Sequence, residues 1–151
     1  MPCHSRRQLS ILTTRTGVAG VEFALLLPVL TLLLMGTFDY GALAYQTMQV
    51  AAAAHAGADY ALRNGWSRTG VQNAVTGATS LAVSASPAPA LSKGCISNNA
   101  LVITTSSTCP SGSASGSYVV VNAQSPFSPL LPWSGLSFPS TITAQAAVRI
   151  Q

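Results

Sequence analysis

The run VAGVEFALLLPVLTLLLMGTF, residues 18–38, decides the fold, and it holds one charged side chain, Glu22, in 21 residues. A helix rises about 1.5 Å per residue, so this run reaches about 30 Å, the thickness of a hydrocarbon core. A removed secretory signal has a shorter apolar core, about 7 to 15 residues, with a small-residue cleavage site close behind. Here the apolar stretch continues through Leu32, Leu33, Leu34 and Met35 and grades into helix-forming sequence. It reads as a membrane span. An ionisable group inside a span is expensive, so Glu22 calls for a reason.

Composition supports two solvents. Only 7% of the 151 residues are charged, against about 25% in an ordinary soluble domain. Past the span the chain turns to Ser, Thr, Ala, Gly and Pro. Arg6, Arg7 and Arg15 precede the span with no acidic residue among them, which by the positive-inside rule keeps this end in the cytoplasm. The expected location is therefore an inner (cell) membrane, crossed once, with the C-terminal part extracytoplasmic. Asp39, Tyr40 and Tyr45 fit the outer interface, where tyrosine rings lie among headgroups. The formal charge of +4 gives no basic stripe, because Arg63, Arg68, Lys93 and Arg149 are scattered. Nucleic acid is excluded as a partner.

Four pieces follow. Residues 1–17 are a polar cytoplasmic leader and residues 18–38 the span. Residues 39–65 continue the same helix outside the membrane, since GALAYQTMQVAAAAHAGADYALRNG is dominated by Ala, Leu, Gln and Met. Arg63 suits the negative end of the helix dipole and Gly65 a left-handed cap. Pro28 is expected to bend the helix, at a depth where neighbouring groups can re-satisfy the freed carbonyl. Residues 66–151 form a small domain: a short helix over 68–82, with Val71, Val75, Ala78 and Ala82 on one face, stopped by SPAPA at 86–90. Strands are expected at 100–105, 117–123 and 140–150. The last alternates most clearly, with Ile142, Ala144, Ala146, Val148 and Ile150 on one face. The fold class is α+β, a long helix followed by a short one and a small antiparallel sheet.

Cys3 lies in the leader, whereas Cys95 and Cys109 bracket a strand on the exported side, where oxidation is allowed. A Cys95–Cys109 disulfide closes a loop of about 15 residues, worth about 3 kcal/mol in the chain-entropy model. Two free thiols are the alternative.

Read from Gly17, the motif is a positively charged leader, a glycine, Val18, then an apolar helix with glutamate fifth after the glycine and Phe23 next to it. That is the processing pattern of type IV prepilins. The segment GVAGVEFALLLPVLTLLLMGTFDYG resembles the TadE-like family, minor pseudopilins of the tight-adherence (Flp) pilus system, with Gly17, Glu22, Phe23, Pro28, Gly36 and Asp39 at matching positions. ALRNG at 61–65 resembles the family's close of this helix, although Leu62 departs from the commoner alanine. Residues 118–150 look like its C-terminal hairpin with a Pro and aromatic loop.

The resemblance implies a pilin-like layout, cleavage after Gly17 by a membrane-embedded prepilin peptidase, and partners among other minor pseudopilins, the major pilin and the inner-membrane assembly platform with its ATPase. It also gives Glu22 a task. Cleavage creates an amine at Val18, about 6 Å from Glu22 along the helix, and the amine of a neighbouring subunit is a natural cation for a carboxylate in lipid. Without a partner, Glu22 would reach the headgroup boundary and find water.

Other candidates carry less. His55 and Asp59 stand one turn apart but are two ligands short of a usual metal site, so neither metal nor cofactor is expected. GSASG at 112–116 has the glycine spacing of a nucleophile elbow with Ala114 in the serine's place. AAAAHAGA at 51–58 reads either as a close-packing helix surface or as plain helix propensity. Beyond Asp59 the chain has no Asp, Glu or His, which leaves ordinary acid–base catalysis without a group and argues against an enzyme. The competing reading is a membrane-anchored binding module with an uncleaved signal anchor, PFSPLLPWSGLSF at 126–138 being its contact loop.

Overall fold

A computed structural model of the protein describes residues 16–131, 135 and 137–150, with side chains from Ala19 onward. Residues 1–15 of the leader, with Cys3, Arg6, Arg7 and Arg15, lie outside the described residues, as do Pro132, Trp133, Ser134 and Leu136 of the 126–138 stretch. Two helices, α1 (Thr16–Asn64) and α2 (Arg68–Gly77), precede four strands, β1 (Ala90–Ser97), β2 (Ala100–Thr104), β3 (Gly116–Pro126) and β4 (Thr141–Arg149). The fold is the expected α+β. The chain divides into two compact units, one ending at Thr37 and one running from Phe38.

In the first unit every described side chain from Ala19 to Met35 is exposed, and these residues are apolar apart from Glu22 and Thr31 and two helix-weakening positions, Gly20 and Pro28. The Thr31 hydroxyl donates to the Leu27 carbonyl at 2.7 Å and the Thr37 hydroxyl to that of Leu34 at 2.8 Å. Their polarity is thus satisfied within the helix, as lipid demands. One helix among the described residues is long and apolar enough to cross a membrane. It runs unbroken through Pro28.

The second unit is built on a small-residue face of α1. Val50, Ala53, Ala54, Ala58 and Ala61 are buried at helical spacing. At Gly57 a Cβ would stand 2.6 Å from Val75 Cγ2 and 2.9 Å from Val121 Cγ1. The backbone of α1 therefore lies directly against both α2 and β3, and AAAAHAGA serves close packing within the chain. The helix ends where expected, at Asn64, with Arg63 in its last turn and Gly65 at φ +80°.

α2 is shorter than its apolar spacing implied. Ser67 caps it by accepting from the Gly70 amide, and Val71 and Val75 enter the core. The helix stops at Gly77 rather than at 82, and Ala78 and Ala82 are exposed. Gly77, Thr79 and Ser80 are poor helix formers, and the Ala78 amide already bonds Val75 in a tightened final turn.

The sheet has the order β2-β1-β3-β4 and is antiparallel throughout. β1 was not among the expected strands, because ALSKGCIS interrupts any alternation with Lys93 and Gly94. It joins β2 through Asn98 and Asn99, both at positive φ (50° and 61°), the two-residue turn whose twist matches antiparallel strands. On one face Val119, Val121 and Ala123 pair with Val148, Ala146 and Ala144 and join the α1 and α2 residues in one core. The other face is wetter, with Gln145 donating to Asn122 at 2.9 Å. Gly94 and Gly116 face each other in register beneath the Tyr118 ring.

Cys95 of β1 and Cys109, in the loop after β2, form a disulfide with Cα atoms 5.7 Å apart. It pins that loop to the sheet's outer half. Two stability outcomes are expected of the whole chain in detergent. Gly57→Ala overpacks the α1–sheet contact and lowers unfolding free energy by about 1–3 kcal/mol, whereas Gly41→Ala, with open space around it, leaves it unchanged or raises it by up to about 1 kcal/mol. Reduction of Cys95–Cys109 lowers it by about 3 kcal/mol. Chemical denaturation followed by circular dichroism measures both.

Candidate functional site

Three features of α1 bear on function. At its start, Gly17 and Val18 lie within the helix, which is assigned from Thr16. Glu22 follows four residues after Val18, and its side chain is exposed, as is that of Phe23. A helix presents residues i and i+4 on one face. The Glu22 carboxylate is thus available laterally to a neighbour, among leucines that offer it no partner of their own.

The second feature is a stripe along the part of α1 in the second unit. Phe38, Gly41, Tyr45, Met48, Ala52, His55, Asp59 and Leu62 follow one another in alternating steps of three and four residues, and all are exposed. Such spacing keeps one seam of a helix in view of a partner helix. Phe38, Tyr45, Met48 and Leu62 are each more than half exposed. The seam is free of charged groups from Phe38 to Ala52, carries His55 and Asp59 next, and closes on Leu62. By sequence His55 and Asp59 are two ligands short of a usual metal site. Among the described residues no group of three or more His, Cys, Asp or Glu side chains could hold an ion; His55 and Asp59 are exposed polar positions within this stripe. The 3–4 spacing was available in the sequence. It was hidden by the equally regular small-residue face, which is the one that the chain buries for itself.

The third feature is Asp39. It is 1% exposed, while Tyr40 and Tyr45 are open to the surroundings. Its Oδ1 accepts the Leu130 amide at 2.9 Å, across 91 residues of sequence. The segment between β3 and β4 reaches back over α1 and covers the carboxylate. That segment is closed at its base by the Phe127 amide, which donates to the Ser140 carbonyl at 3.0 Å. The Phe127 and Phe138 rings, 6.1 Å apart between centroids, add an apolar clasp. An ionised acceptor makes a stronger bond to an amide than a neutral one does. The contact loop is thereby tied to the helix immediately after the span.

A cleft of about 580 Å³ lies where α1 ends against the sheet, lined by Ala61, Leu62, Gly65, Leu91, Ser117, Arg149 and Ile150. Arg149 is the one ionisable group among these described lining residues. A guanidinium stays protonated and supplies no general base.

Residues 17–59 match the model of a known family, the TadE-like proteins. No curated protein and no solved structure matches the chain. The matched stretch takes in the start of α1, the whole apolar run, Asp39 and the stripe as far as Asp59. It stops short of ALRNG at 61–65 and of the hairpin at 118–150, so the likeness proposed for those stretches rests on their residues alone.

The Asp39 tie has a measurable weight. Asp39→Ala leaves the Leu130 amide without its acceptor and is expected to lower stability by about 1.5–3 kcal/mol, with Asp39→Asn, which keeps a carbonyl oxygen, losing less. Denaturation midpoints of the two variants in one detergent give the comparison.

Proposed function

We propose that this protein is a pilus-assembly component of the tight-adherence (Flp) system, a minor pseudopilin anchored in the inner membrane by residues 18–38 with its sheet domain on the outer side. The observation that carries this reading is the match of residues 17–59 to the TadE-like family, over a helix whose first part buries none of its apolar side chains within the chain. The Cys95–Cys109 disulfide supports the orientation, since such bonds persist in oxidising compartments.

In this reading a prepilin peptidase removes the leader after Gly17 and Val18 becomes the new N-terminus. The amine carries a positive charge near neutral pH. Glu22 of one subunit then meets the Val18 amine of another, each relieving the other of an uncompensated charge in lipid. Because the two groups sit at fixed heights on their helices, the pair favours one axial offset between neighbours. The stripe from Phe38 to Leu62 supplies the lateral apolar contact above it, against a helix of another minor pseudopilin or of the major pilin. The assembly platform and its ATPase act on the membrane-embedded part. The role is structural rather than catalytic.

Two variants test the reading in cells that make the pilus. Gly17→Ala is expected to leave the leader in place, seen as an unshortened intact mass; normal trimming refutes the assigned cut. Glu22→Ala is expected to be trimmed normally while pilus number falls by about tenfold, the change expected where subunit association limits assembly and weakens by about 1.4 kcal/mol. Wild-type pilus counts in that variant would remove Glu22 from assembly.

A further inference from the structure

We propose that the loop between β3 and β4 is a second membrane contact, inserting Leu130 into the headgroup layer of the outer leaflet beside the point where α1 leaves the lipid. The inference rests on the reading that residues 18–38 span a membrane. It adds to that reading an attachment made by the far end of the chain.

Height is the first argument. The apolar run ends at Phe38, and Asp39 is the next residue of the same helix, one rise of about 1.5 Å further along. The Leu130 amide is bonded directly to the Asp39 carboxylate. Headgroup layers extend about 5 to 8 Å beyond the hydrocarbon on each side. A group held by one hydrogen bond to the first residue past the span cannot lie far outside that layer, whatever the tilt of the helix.

Chemistry is the second. Leu130 is 62% exposed although its backbone is held, and Phe38 and Tyr40, on either side of Asp39, are 63% and 70% exposed. Aromatic rings and an aliphatic side chain around a masked carboxylate form the kind of surface that collects at a membrane interface. From Gly94 to Val148 the chain carries no charged residue, so no charge in the loop opposes its approach to the headgroup layer. The same neutrality says which lipid property matters. Contact depends on apolar partitioning and not on anionic headgroups, unlike a polybasic segment.

Rigidity is the third. The Phe127–Ser140 hydrogen bond and the Phe127–Phe138 ring pair close the base of the loop, and Asp39 holds its other side. The Leu130 backbone is thus already held, so docking does not have to fix that residue.

Spin labels on the full chain, with Cys3→Ser and the Cys95–Cys109 disulfide intact, decide the matter in phosphatidylcholine vesicles. Single labels are placed through Leu130→Cys, through Leu30→Cys in the span, and through Thr105→Cys, an exposed position after β2. Collision rates with oxygen, which concentrates in lipid, and with a water-soluble nickel chelate are compared. The proposal expects the ratio of oxygen to nickel collisions at Leu130 to exceed that at Thr105 several-fold, and to change little when anionic lipid is added. A Leu130 label that behaves like the Thr105 label, while the Leu30 label is lipid-immersed, overturns the second contact and leaves the anchor standing. A Leu130 label shielded from both reagents places protein over the loop and also overturns it. If the Leu30 label itself is in water, the anchor reading fails and this inference falls with it.

Discussion

The contact at Gly57 is the constraint on which the second unit depends. With no side chain there, and with Ala53, Ala54, Ala58 and Ala61 around it, the backbone of α1 sits within van der Waals reach of Val75 and Val121. That proximity lets a ten-residue helix and four short strands share one core of valines and alanines. Larger residues on this face would lift the helix away from the sheet. The core would then lose more contact than the extra side chains could restore, because packed interiors tolerate little change in volume.

A helix that spends its small residues on its own core has its other faces left over, and the leftover faces change character along its length. From Ala19 through Met35 the whole circumference is exposed and, Glu22 and Thr31 aside, apolar, a surface suited to hydrocarbon and not to water. Beyond Phe38 the exposed positions narrow to a seam that opposes the buried one. Asp39 marks the change. Buried by the fold, this carboxylate has lost its water, and that desolvation has to be compensated. The chain compensates it with an amide from the β3–β4 loop, which is how a residue 91 positions away is brought to the foot of the helix.

Periodicity and length made the long helix legible in the sequence to its last turn, down to Arg63 and Gly65. The alternation of Ile142, Ala144, Ala146 and Val148 likewise identified β4. What stayed hidden was of two kinds. Local signals misled where apolar spacing outran helix propensity, so α2 ends at Gly77, and where a central strand lacked β-branched alternation, so β1 emerges only from its pairing with β2 and β3. The burial of Asp39 is a long-range event that no window of sequence contains. Spacing made the Cys95–Cys109 bond a reasonable pairing, but the turn at Asn98 and Asn99 is what folds β1 back on β2 and lets Cys109, in the loop after β2, reach Cys95. At the site, Gly17, Val18, Glu22 and Phe23 were legible because their pattern lies within residues 17–23 and needs no tertiary contact to be seen.

The central claim is that Glu22 meets the processed N-terminus of a neighbouring subunit. A photo-reactive amino acid placed at position 22, irradiated in cells assembling pili, tests it most directly. The account predicts protein adducts in which the partner peptide begins at the first residue of a processed pilin or pseudopilin. Adducts with lipid alone, from a protein otherwise correctly inserted and trimmed, would contradict it.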